Sequence, residues 1–221
     1  MTNQRRMVNN QPTNRLPDSY SMVERRFVGP VRALWLWLYG PLVHLLAALD
    51  ISPHVVSLVG PMLGLLFVYT VPRRPQLSFF IWLASMITDS IDGALARYTG
   101  RASPFGALVD YFADHTRETL IVVGLTASGA LSPLWGSLYP FVYTALNTML
   151  FLGNSYGVPA PIAVKSWMVL YPAILVYLLW GRNFLNEATM LSIAFMSATI
   201  VHGLLLLSGR MDRTDGEGLK E

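Results

Sequence analysis

Six apolar stretches of membrane-spanning length dominate this chain, and four aspartates, Asp89, Asp92, Asp110 and Asp114, sit within or beside two of them. A carboxylate near the centre of a bilayer costs about 2.5–3.5 kcal/mol even on a permissive insertion scale, so four uncompensated ones would oppose insertion by about 10 kcal/mol or more. The chain must fold so that something offsets their charge. Asp89 and Asp92 are three residues apart, with Gly93 and Ala96 beside them on a helix, and Gly106, Asp110 and Asp114 recur every four residues. Two such stripes brought face to face put four carboxylates at one point. Crowded carboxylates repel one another, whereas a magnesium-type divalent cation relieves both the repulsion and the loss of hydration. A metal site is the first reading of the pattern.

The surrounding chain is built for lipid. Of its 221 residues 53% are hydrophobic and 13% charged, with a mean hydropathy of +0.43, against about a quarter charged in a soluble domain. With no cysteine, thiolate metal sites and disulfides are excluded. The net charge of +3 does not point to nucleic acid, because the basic residues flank apolar segments, where anionic lipid headgroups attract them.

In chain order, residues 1–18 read as a polar flexible tail with Arg5, Arg6 and Arg15, retained because no signal-peptide apolar region or cleavage site follows. Residues 19–50 read as an amphipathic juxtamembrane segment lying in the interface. Its arginines Arg25, Arg26 and Arg32 precede an aromatic run ending at Tyr39, and Gly40-Pro41 interrupts it. Residues 51–209 hold apolar segments at about 53–70, 78–98, 104–127, 133–152, 162–180 and 187–208, and residues 210–221 form a C-terminal tail. Three segments start at a Ser-Pro pair, Ser52-Pro53, Ser103-Pro104 and Ser132-Pro133, where serine accepts a free N–H and proline has none to leave unpaired. About 20 apolar residues cross a bilayer, so the expected fold is an all-α integral membrane protein of six transmembrane helices preceded by an interfacial one. Placing both termini inside puts twelve Lys and Arg residues on the cytoplasmic side and only Arg73, Arg74 and Arg182 outside, as the positive-inside rule requires. The aspartates then lie at the cytoplasmic edge of a multi-pass inner-membrane protein. No internal repeat of the kind found in inverted-repeat transporters is visible.

Written out, the acidic stretch is Asp89-x-x-Asp92-Gly93-x-x-Ala96-Arg97, eight residues, then Gly106-x-x-x-Asp110-x-x-x-Asp114. It resembles the signature of the CDP-alcohol phosphotransferase family, at all eight fixed positions and both spacings. The resemblance implies a membrane transferase that moves a phosphatidyl group from a CDP-alcohol, above all CDP-diacylglycerol, to the hydroxyl of a small polar alcohol and releases CMP in phospholipid biosynthesis. It further implies two Mg2+ or Mn2+ ions on Asp89, Asp92, Asp110 and Asp114, with Asp114 also the general base, and a homodimer. Gly93, Ala96, Arg97 and Gly106 are the expected nucleotide contacts, the small residues opening the helix pair and Arg97 meeting phosphate oxygens. The alternative for the small residues is simple close packing of membrane helices.

Acceptor contacts are less defined. Arg117 and Glu118 continue the second stripe and read either as an internal pair supporting Asp114 or as acceptor ligands. Lys165 reads either as a ligand for an acceptor phosphate, as in glycerol 3-phosphate or inositol phosphate, or as an interface anchor. His115 reads as structural, His54 and His202 form no metal set, and the terminal Trp and Tyr residues form an aromatic belt. One departure from the family pattern is Ser52-Pro53-His54, where relatives carry Pro-Asn. Two rivals use the same aspartates: a divalent-cation channel or transporter, and a membrane hydrolase of CDP-lipids.

Overall fold

The computed structural model describes residues 21–218, with the side chains of 25–37 and 210–218 outside the described set. The expected 1–18 tail, the arginines before the aromatic run and most of that run's side chains therefore lie outside the described residues. Seven helices follow one another: α1 Met22–Ala48, α2 Pro53–Thr70, α3 Pro75–Tyr98, α4 Pro104–Ala127, α5 Pro133–Ser155, α6 Ser166–Trp180 and α7 Leu185–Gly218. No strand occurs among the described residues.

Helix starts follow the proline signals closely, although the caps differ. Pro53, Pro104 and Pro133 open α2, α4 and α5, but only Ser103 caps with its side chain, accepting from the Gly106 N–H at 3.0 Å. Ser132 instead donates its backbone N–H to Asn186 Oδ1 at 2.9 Å, tying the start of α5 to α7. The fifth apolar run, expected from 162, becomes helical only at Ser166. Residues 158–165 stay irregular, because Pro161 disfavours helix at Ala160 and two carbonyls there are used elsewhere. Ala160 O and Pro161 O accept from the Met22 and Val23 N–H groups at 3.0 and 3.2 Å.

Two further differences concern the chain ends. Gly40-Pro41 does not interrupt α1, which runs through it. The lost N–H is offset by packing, since Val43 buries into a small core with Val56, Ile91, Ala94 and Leu95 of α2 and α3. At the other end α7 stays helical past 209 to Gly218.

The helices form two groups, α2–α3–α4 and α5–α6–α7, joined by packing of α4 on α5 and α3 on α6. The large core between them includes Phe67, Trp82, Ile121, Leu125, Tyr139, Leu146 and Ile174. Glycine sets the close α2–α4 approach: a Cβ added at Gly124 would lie 2.9 Å from the Phe67 ring, and one at Gly64 3.1 Å from the Leu120 side chain. Three helices, α2, α3 and the Leu185–Gly209 part of α7, are long and apolar enough to cross a membrane. By the same measure α4 falls short, since it carries Asp110, Asp114, Arg117 and Glu118, and α6 has only 15 residues.

Candidate metal centre and adjoining cavity

The two aspartate stripes do meet. Asp89 and Asp92 lie in the C-terminal half of α3 and Asp110 and Asp114 in the first turns of α4. Carboxylate oxygens of Asp89, Asp110 and Asp114 lie within 4.8 Å of one another. Ligand atoms on one six-coordinate cation at about 2.1 Å lie about 3.0 Å apart when cis and about 4.2 Å when trans, so side-chain rotation within this cluster brings the three carboxylates onto one ion. Oxygen-only donors of this kind suit magnesium or manganese rather than a thiolate-seeking metal. Asp92 stands a step aside, buried and facing Ser57 and Asp110.

All four aspartates line a small space beside Ser57, Gly60 and Pro61 of α2. A water-sized sphere has about 10 Å3 of freedom for its centre there, room for one water or one small cation. Asp89, Asp110 and Asp114 also form the wall of a second cavity of about 1040 Å3. This cavity reaches Arg97 at the end of α3, Tyr143 and Asn147 on α5, Lys165 and Tyr171 at α6, and Glu24 at the start of α1.

Arg117 completes the cluster. Its guanidinium is 3.2 Å from Asp114 Oδ1 and 3.8 Å from Asp89 Oδ1, and donates to the Ser85 carbonyl at 3.3 Å. At 5% exposure it is buried among the groups it neutralises, which favours the supporting role over an acceptor ligand. Glu118, read from sequence either as an internal partner of Arg117 or as an acceptor ligand, is held by tyrosine hydroxyls. It accepts from the Tyr139 and Tyr171 hydroxyls at 2.7 and 2.8 Å, so two helices of the other group satisfy its charge.

The remaining expected residues divide. Arg97 lines the large cavity, and its guanidinium lies against Gly93, where a Cβ would come within 3.2 Å. Gly106 likewise makes room for the His54 ring, 3.2 Å from where its Cβ would stand, so these two glycines have packing reasons of their own. Gly93, Ala96 and Gly106 are not among the residues lining either cavity. Lys165 is 8% exposed, with Nζ 3.4 Å from Glu24 Oε1.

Several site residues escape a reading from sequence. Glu24 is 5% exposed and fixed by a capping box, its Oε2 accepting from Ser21 N–H at 2.8 Å and Ser21 Oγ from Glu24 N–H at 3.4 Å. The Ser-x-x-Glu spacing is a visible signal for the cap, though not for where the glutamate points. His115, taken as structural, lines the large cavity. Its Nδ1 is 2.6 Å from the Tyr111 carbonyl and its Nε2 is buried without a partner. A carbonyl only accepts, so Nδ1 carries the hydrogen and the neutral ring offers a lone pair at Nε2.

The family model for CDP-alcohol phosphatidyltransferase matches residues 50–205, which takes in α2 to α6 and most of α7. The chain belongs to the CDP-alcohol phosphatidyltransferase family. Among similar proteins, an archaetidylinositol phosphate synthase of Pyrococcus horikoshii is 35% identical over 85 residues, 38% of this chain and 45% of that protein. A phosphatidylinositol phosphate synthase of Cutibacterium acnes is 28% identical over 112 residues, 48% of this chain and 54% of that protein. A Mycobacterium tuberculosis protein described as "Probable phosphatidylglycerophosphate synthase" is 46% identical over 55 residues, 25% of this chain and 26% of its own length. The chain thus spans about half the length of these relatives, or less. Family membership places the acidic cluster of α3 and α4 inside the matched segment.

Proposed function

We propose that this member of the family transfers a phosphatidyl group from a CDP-alcohol, CDP-diacylglycerol foremost, to the hydroxyl of a small polar alcohol and releases CMP. The observation that carries the reading is the convergence of Asp89, Asp110 and Asp114 on the wall of a cavity of about 1040 Å3. That cavity has the size of a site for a nucleotide-activated lipid headgroup and an acceptor.

Asp89, Asp92, Asp110 and Asp114 would hold magnesium or manganese. When bound, the metal neutralises pyrophosphate charge and stabilises the departing phosphate. The protein's own groups do the rest. Arg97 faces the cavity from the end of α3, suited to the nucleotide's phosphate oxygens. Asp114, with one oxygen turned to Arg117, has the other to take the acceptor's hydroxyl proton. The acceptor oxygen then bonds to the lipid-bearing phosphorus as the bond to CMP breaks. His115 and Asn147 line the same cavity and are the groups assigned to orient acceptor hydroxyls.

In the membrane we propose six spans, α2 to α7, with both termini and the cavity mouth on the cytoplasmic side, and association as a homodimer. An exposed apolar stripe, Leu38, Leu42, Leu45 and Leu49, supports an interfacial α1, since it repeats at helical spacing toward no protein partner. The relatives' names suggest inositol-type and glycerophosphate-type acceptors.

The test is CMP release from CDP-diacylglycerol by the purified chain in lipid vesicles, with magnesium or manganese and a panel of alcohols. The reading requires metal-dependent CMP release together with a new lipid containing the added alcohol. CMP release without new lipid makes the protein a hydrolase, and metal flux without turnover makes it a transporter.

A further inference from the structure

Apart from the aspartates, the cavity is lined by Glu24 in the first turn of α1 and by Lys165 just before α6. Met22 and Val23 bond to the 160–161 loop, and the capping box with Ser21 aims Glu24 at Lys165. Trp167 adds an Nε1–H to Glu24 Oε1 at 3.4 Å. Lys165 is therefore not presented to the cavity as an uncompensated cation. Its charge is engaged by a carboxylate that is itself buried, and both side chains line the cavity. The guanidinium at the acid cluster, Arg117, is engaged by Asp114 and Asp89.

We propose that Glu24 is a specificity-determining residue of the acceptor site: by occupying Lys165 it weakens the hold of that lysine on an acceptor's phosphate and so sets the preference between a phosphorylated acceptor and its parent alcohol. The proposal rests on the transferase reading and adds a residue from α1, outside the 50–205 family segment. A phosphate ester approaching Lys165 meets the Glu24 carboxylate and must displace it, whereas a hydroxyl has a proton to donate to that carboxylate and passes without displacing it. The capping box makes displacement harder, because moving Glu24 also frees the Ser21 N–H.

The measurement is the ratio of kcat/KM for a phosphorylated acceptor to that for its parent alcohol. Glycerol 3-phosphate against glycerol and inositol 1-phosphate against inositol serve, with the full chain in vesicles containing CDP-diacylglycerol and manganese. Glu24→Gln raises this ratio at least tenfold, mainly through a lower KM for the phosphorylated acceptor. Glu24→Asp keeps an acid in the first turn of α1 while withdrawing it from Lys165, and raises the ratio at least threefold. Lys165→Gln lowers it. A merely structural Glu24 would reduce turnover of both acceptors in proportion and leave the ratio unmoved. Ratios within twofold of the wild type in the glutamate variants, or lower, overturn the proposal while leaving the transferase reading intact. Absence of acceptor-dependent turnover in the wild-type chain instead overturns the transferase reading, and this proposal with it.

Discussion

The two ends of the large cavity solve the same problem, buried charge, in opposite ways. At the α3–α4 end three carboxylates crowd within 4.8 Å with a single guanidinium among them, so anionic charge is left in excess for a cation to satisfy. At the α1–α6 end one acid meets one base at 3.4 Å, and Glu118 is settled by two neutral hydroxyls. An excess of like charge is costly unless a ligand completes it, whereas a matched pair needs no ligand and instead resists one. On the function proposed above, the first end binds and the second selects.

Metal removal should break this contrast most strongly. Chelation with EDTA is expected to abolish CMP release, with recovery on adding magnesium or manganese, while zinc or calcium restores less. Thermal unfolding in detergent should show the same ions raising the midpoint, and Asp110→Asn should lose that shift. Next in size is Asp114→Asn, expected to lower kcat about 10²–10⁴-fold, the range for a positioned base. Unchanged turnover of this variant would remove Asp114 from the proton-transfer role.

Arg117→Met sharpens the comparison from the opposite direction. It leaves Asp89 and Asp114 without their protein counter-charge, and breaking a buried pair by deleting one partner costs about 3–5 kcal/mol. The metal supplies the same compensation, so the loss of stability should be large without divalent ions and much smaller with them. Equal destabilisation in both conditions would mean that Arg117 acts by packing against Gly60 of α2, where its Cδ lies 3.7 Å from the position of an added Cβ.

How much of this was legible in the sequence follows from where each partner lies. The aspartates could be read because each stripe sits within one helix at spacings of three and four; what brings the stripes together is α2, which packs on both α3 and α4. Helix starts could be read at Pro53, Pro104 and Pro133. The Glu24–Lys165 pair could not, because neither residue's neighbours point to the other; the bonds from Met22 and Val23 to the 160–161 carbonyls, and from Trp167 to Glu24, bring α1 to the start of α6. The delayed start of α6 was hidden for the same reason, since residues 162–164 are as apolar as the helix after them. The continuity of α1 through Pro41 depends on Val43 packing against α3, a tertiary effect that outweighs a local breaker.

The smallest expected effect probes the neutral way of holding charge. Glu118 and Asp114 are one turn apart on α4, yet Asp114 faces the ion site and Glu118 accepts from Tyr139 of α5 and Tyr171 of α6. Glu118→Gln keeps the shape and one acceptor oxygen but turns two charge-assisted bonds into, at best, one neutral bond and one reorganised one. A loss of about 1–3 kcal/mol is expected, read as a lower denaturation midpoint. Because Glu118 spends its charge on hydroxyls rather than on the cluster, metal dependence should stay within about twofold of the wild type on the scale where 1.4 kcal/mol is tenfold. A large change in the metal requirement would show that Glu118 contributes to the field at Asp114, and the separation between the binding end and the selecting end would then fail at the one helix they share.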